Sequence, residues 1–142
     1  MVPMLAEFEG LWRLARGIED RRAAQQGTLI GEAVFTSDPD PESCLRYEET
    51  GALSYAGQSP LNASRRYVWR AAKEHSIEVL FDDGRPFHTI SRDRLMPDAT
   101  HHCAPDMYYV SYDFTGWPDW SSSWRVLGPQ KDYRMRSEYS RL

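Results

Sequence analysis

The chain has 142 residues, 27% of them charged and 41% hydrophobic, a balance expected of one globular domain large enough to bury its own core. A net charge of −4 leaves no basic surplus for a phosphate backbone, so nucleic acid is excluded as the main partner. No apolar run is long enough to span a membrane, and the opening MVPMLAEFEGLW has neither a basic n-region nor a sustained apolar h-region; a cytosolic protein follows as the expectation.

The spacing predicts a short helical turn over Pro3 to Phe8, with Pro in the first turn and Met4, Leu5 and Phe8 on one side. From there the pattern is of period two, the signature of strands. Trp12, Leu14 and Ile18 share a face with Arg16, and Gly31, Ala33 and Phe35 share the next. SDPDPES reads as a turn, after which Leu45, Tyr47 and Glu49 alternate with Cys44, Arg46 and Glu48. GQSPLNAS breaks the chain again before Tyr67, Trp69 and Ala71, and Ile77, Val79 and Phe81 follow. Asp83-Gly84 is a hairpin signal, with its partner strand starting near Phe87. SRDRLMPDAT reads as the longest irregular piece. Tyr108, Val110, Tyr112 and Phe114 form the cleanest strand, GWPD leads into Trp120, Ser122, Trp124 and Val126, and GPQKD leads into Tyr133, Met135 and Tyr139.

Eight or nine strands on short links, with no crossover helix, predict an all-β protein. Its simplest architecture is a single antiparallel up-and-down meander closed into a barrel, which removes its edges. The two cysteines, Cys44 and Cys103, do not form a disulfide framework. Self-association is left open.

Gly10-Leu11-Trp12, preceded by a helical turn, resembles the opening of the lipocalin and calycin barrels. The resemblance implies that Trp12 closes the base of the barrel under a basic residue near the last strand, here Arg134, Arg136 or Arg141. Five longer strings resemble an uncharacterised lipocalin-like family: F-x-G-x-W-x-L-x-R from Phe8, L-x-Y-x-E-x-G-x-L from Leu45, F-x-D-G-R-x-F-H from Phe81, H-x-C-x-x-D-x-Y from His101 and W-x-V-x-G-P-x-K-D-Y from Trp124. That resemblance implies the fold and supplies no activity. Unlike ordinary lipocalins, the chain has no helix after its last strand.

Four charged residues share parity with apolar, inward faces: Arg16, Glu49, Arg65 and Lys131. A charge inside a barrel is costly unless it is paired or meets a ligand, so they either pair and snorkel or contact a ligand. The tyrosine-rich lining suits a small molecule with an apolar body and a polar or anionic head. The expected ligand site joins Glu49, Tyr67, Trp69, His88, His101, Asp106, Tyr108 and Lys131, with Lys131 on the anionic head.

The stretch THHCAPD supports a second expectation. His88, His101 and Cys103 are N and S donors suited to zinc, with Asp106 as a further ligand or an orienting group. The same four residues suit a metal-free enzyme, with His88 as acid/base or Cys103 as nucleophile. The plain alternative makes the stretch a polar turn, with Cys103 a small filler and His102 facing solvent. Haem on His88 or His101 is a further reading, disfavoured by the charged interior. The cofactor stays unassigned.

Overall fold

The computed structural model describes residues 2–38 and 44–142, so part of the SDPDPES turn lies outside the described residues. Among the described residues ten antiparallel strands form one sheet: β1 (Gly10–Asp20), β2 (Gln25–Asp38), β3 (Cys44–Tyr55), β4 (Leu61–Ala72), β5 (Ser76–Phe81), β6 (Pro86–Ser91), β7 (Asp98–Cys103), β8 (Asp106–Asp113), β9 (Trp120–Leu127) and β10 (Asp132–Arg141). The spatial order is β6-β5-β4-β3-β2-β1-β10-β9-β8-β7, a meander rolled so that β1 pairs with β10. Its two end strands, β6 and β7, adjoin without forming a ladder, so the barrel is nearly closed. The predicted helical turn is a 3-10 turn over Leu5–Phe8. Among the described residues no helix is long and apolar enough to cross a membrane.

The strand count exceeds the expected eight or nine because β7 begins inside the stretch read as irregular and runs on through THHC. Its burial alternates only weakly, and its residues are mostly exposed. Ala104–Pro105 is a cis pair occupying the two-residue turn from β7 to β8, with Cys103 opposite Asp106. THHCAPD is therefore the arm and tip of a hairpin.

Because the strands alternate direction, the β1–β2, β3–β4, β5–β6, β7–β8 and β9–β10 turns share one end of the barrel, the mouth. The N-terminal turn lies at the other end, the base, and plugs it with aromatic side chains. Phe8 is fully buried, with Phe35, Trp69, Phe114, Trp117 and Trp120 ring centroids 4.9 to 5.7 Å away. Burial of one such ring contributes about 1.5–3 kcal/mol, and tilted aromatic pairs add to it.

Trp12 is fully buried beside this plug and donates from Nε1 to the Phe8 carbonyl at 2.8 Å. Of the three arginines expected over it, Arg141 takes the place: its guanidinium lies 3.9 Å from the ring centroid and donates to the carbonyls of Glu9 (2.8 Å) and Glu7. Arg134 and Arg136 face outward and are exposed. Gly10, at φ +119°, leaves room for Arg141, whose Nη1 would stand 2.9 Å from any Cβ there. The glycine of the G-x-W string is thus fixed both by backbone conformation and by this close approach.

Candidate functional site

The interior holds a polar network on an otherwise aromatic background. Arg16, on β1, donates from Nη1 and Nη2 to Glu49 on β3 at 2.6 and 2.9 Å, and from Nε to Ser137 on β10 at 2.7 Å. Tyr47 donates to Glu49 at 2.8 Å and lies 2.8 Å, hydroxyl to hydroxyl, from Tyr139. Arg16 and Glu49 are 6% and 2% exposed, so the pair is desolvated, and the fork-to-fork geometry with added hydrogen bonds offsets that cost. Burial pulls the Arg16 pKa down, but the hydrogen bonds to Glu49 and the attraction of the surrounding Tyr139, Glu49 and Tyr47 outweigh it and raise the value. Burial pushes Tyr139 up to about 12 and Tyr47 well above the ordinary phenol range, so both stay neutral donors. Arg16 and Glu49 thus pair with each other.

A second buried contact spans the unpaired seam. His88 on β6 sits 2.7 Å, Nε2 to hydroxyl, from Tyr112 on β8. Around it Phe87 packs against His101, Tyr108 and Trp124 with centroids 5.2 to 5.7 Å apart, so rings stand in for the missing ladder between β6 and β7. Burial, with a smaller repulsion from His101, lowers the His88 pKa to about 3. Its Nδ1 and the Trp120 Nε1 have no hydrogen-bond partner among the described residues.

The free space divides in two. An inner cavity of about 30 Å³ is lined by Tyr47, Glu49, Tyr67, Trp69, His88, Tyr112 and Trp124 among others. That is room for one water. Above it, at the mouth, a cavity of about 220 Å³ is lined by Arg16, Ile18, Asp20, Leu29, Glu49, Leu53, Tyr55, Ala63, Arg65, Tyr133 and Met135. Arg16 and Glu49 line both, so the ion pair is the floor of the mouth. Arg65 faces the mouth, half-buried, with its guanidinium 5.5 Å from the Trp124 ring centroid and Nη2 3.9 Å from the Met135 sulfur. Burial raises the pKa of Tyr133 on the same wall. A groove of about 1150 Å³ on the outer face of the sheet, along Gly17, Tyr109, Ser111, Arg134 and Arg136, is larger but opens broadly to solvent. Ligand sites enclose most of the molecule they hold, which favours the mouth.

The eight residues expected to form one site are dispersed. Glu49 floors the mouth; Tyr67, Trp69 and His88 line the inner cavity; His101 and Tyr108 belong to the seam. Asp106 and Lys131 lie on the rim, where they pair with each other at 3.1 Å and tie the β7–β8 turn to the β9–β10 turn. Lys131 is exposed, so its expected position on an anionic head inside the barrel is corrected: it precedes the first residue of β10, and strand parity does not extend to it. Asp106 is further fixed by Gly128, since its Oδ1 would stand 1.9 Å from any Cβ there.

The four residues of the metal and nucleophile expectations do not come together. Cys103 is exposed at the hairpin end, while His88 points into the core, and Asp106 is engaged with Lys131. Among the described residues no three of His, Cys, Asp and Glu are grouped to hold a metal ion. Burial lowers the His88 pKa to about 3, and its Nε2 meets the Tyr112 hydroxyl. The inner cavity, about 30 Å³, is far smaller than a haem. His102 is exposed, as expected of its parity.

The mouth residues that sequence reading did not select include Ile18, Asp20, Leu29, Leu53, Tyr55, Ala63 and Met135. Each shares parity with an inward residue on its own strand, and that parity was the available signal.

No curated protein matches the chain. A solved structure that is similar is that of the S-type phycobiliprotein lyase CPES from Guillardia theta, at 12% identity and a TM-score of 0.67, covering 97% of this chain and 90% of that one. At that identity the likeness is one of fold. Residues 8–141, nearly the whole barrel from its aromatic plug to Arg141, match the sequence model of a family of unknown function, and the chain belongs to that family, DUF6314.

Proposed function

We propose that this protein is a small-molecule-binding barrel of lipocalin-like type, acting in the cytosol. Its ligand sits in the mouth, with an apolar body and a polar or anionic head. The observation that carries the reading is the cavity of about 220 Å³ that ends on a buried ion pair. Its walls combine Leu29, Leu53 and Met135 with the half-buried charge of Arg65, the mixture of apolar surface and few polar groups that orients a small ligand. An apolar cavity of about 150 Å³ holds benzene, so the mouth has room for a ring with a short substituent. The likeness to a barrel named as a phycobiliprotein lyase fits a ligand-handling barrel and lends no reaction.

The test is native mass spectrometry of the protein after incubation with a library of small organic compounds. One-to-one complexes are expected for wild type, and their loss for Ala63→Phe, which fills the mouth from β4. Complexes of equal abundance in both proteins would place the ligand elsewhere.

A further inference from the structure

We propose that the mouth selects an organic monocarboxylate, and that Arg65 is the residue that reads its charge. The proposal rests on the mouth being the ligand site and adds the chemical class of the ligand.

The charged residues lining the mouth are Arg16, Asp20, Glu49 and Arg65, while Lys131 and Asp106 on the rim neutralise each other. The charge of Arg16 is paired with Glu49 through both terminal nitrogens, and its Nε serves Ser137. Glu49 accepts in turn from Arg16 on both oxygens and from Tyr47, which leaves it little capacity to hold a ligand cation. Asp20 lies at the last position of β1, and its Oδ1 accepts the Ala23 amide at 3.1 Å, the usual work of an aspartate in a turn. Arg65 is the exception. It stands opposite Glu49 in the β3–β4 register, yet Glu49 is taken by Arg16, and among the described residues no carboxylate lies within ion-pair distance of Arg65.

Arg65 interacts with the Tyr67 hydroxyl; its other neighbours are Trp124, under the guanidinium, and the Met135 sulfur. The last two are soft, polarizable partners that hold the planar group in place without neutralising it. A half-buried guanidinium stripped of part of its water gains more from a counter-ion than an exposed one does. A guanidinium fork matches the two oxygens of a carboxylate.

Three features narrow the ligand further. A single unneutralised cation suits a monoanion, and Asp20 at the rim disfavours a dianion such as a phosphate monoester. The volume of about 220 Å³ limits the body to roughly a ring and a short chain, by comparison with the benzene-sized cavity above. The apolar wall of Leu29 and Leu53 opposes a second polar end.

The experiment is isothermal titration calorimetry of the full chain with 3-phenylpropionate, its primary amide and 3-phenylpropylamine, on wild type, Arg65→Met, Arg65→Lys and Ala63→Phe. The acid is expected to bind best to wild type, at least tenfold more weakly to Arg65→Met, and between the two for Arg65→Lys, which keeps the charge and loses the fork. The amide is expected to bind wild type more weakly than the acid does and to lose less than the acid on Arg65→Met. Amide or amine binding as tight as the acid, unchanged by Arg65→Met but lost in Ala63→Phe, would overturn the carboxylate assignment and leave the mouth standing. Binding of any of the three that survives Ala63→Phe would overturn the mouth itself. No binding of the acid at millimolar concentration would also overturn the proposal.

Discussion

Arg16 and Glu49 meet through two parallel hydrogen bonds, 2.6 and 2.9 Å long, at the buried floor of the mouth. The pair joins β1 to β3 across β2, and through Ser137 and Tyr47 it reaches β10 and Tyr139. Removing one partner strands a buried charge, at about 3–5 kcal/mol, whereas replacing both with apolar groups of similar volume is far milder. Glu49→Leu is therefore expected to be strongly destabilised in urea unfolding, and the double variant Arg16→Met/Glu49→Leu to recover most of the loss. A double variant no more stable than the single one contradicts this account of the floor.

His88 makes stability depend on acid. Its folded pKa, about 3, lies below the ordinary value of 6.5, so between those values the unfolded chain binds the extra proton. The contribution is complete above pH 6.5 and is lost as pH falls towards 3, with a slope of up to about 1.4 kcal/mol per pH unit. Unfolding midpoints measured across that window are expected to fall less steeply for His88→Phe than for wild type.

Tyr112→Phe removes the hydroxyl that bridges the seam to His88 and leaves a buried imidazole without its partner. A cost of about 1–3 kcal/mol follows. Amide exchange is expected to accelerate in β6 and β7, the two strands that close the ring without a ladder, and to change little in β1 and β2.

The two thiols are expected to react in sequence. Cys103 is exposed, while Cys44 is buried and its pKa is raised, by burial first. The thiolate is the reactive form. An alkylating reagent at neutral pH is expected to label Cys103 promptly in the folded protein and Cys44 only on unfolding, with no loss of fold after the first addition.

Most of the barrel is legible in the sequence because its strands alternate cleanly. Tyr108, Val110, Tyr112 and Phe114 bury one face, and Leu45, Tyr47 and Glu49 another, as period two requires. Strand β7 is not legible, since Asp98–Cys103 carries polar side chains on both faces and packs only Ala99 and His101 partly inward. Parity also placed Arg16, Glu49 and Arg65 on the inner faces. It says nothing of depth along a strand, which is why the charge spent in the core was not separable from the charge left at the mouth. Lys131 shows where parity ends: a turn residue one position before a strand does not inherit that strand's faces. The His101–Cys103 spacing failed for the same reason, because Cys103 is the last residue before the cis turn.

The most direct test of the account is a methyl and aromatic NMR titration with a bound small molecule, comparing wild type with Ala63→Phe. Shift changes at Ile18, Leu29, Leu53, Met135 and Tyr133 that disappear in Ala63→Phe are the predicted result. Changes confined to the outer face around Tyr109 and Ser111, and retained in Ala63→Phe, would contradict the assignment of the mouth as the ligand site.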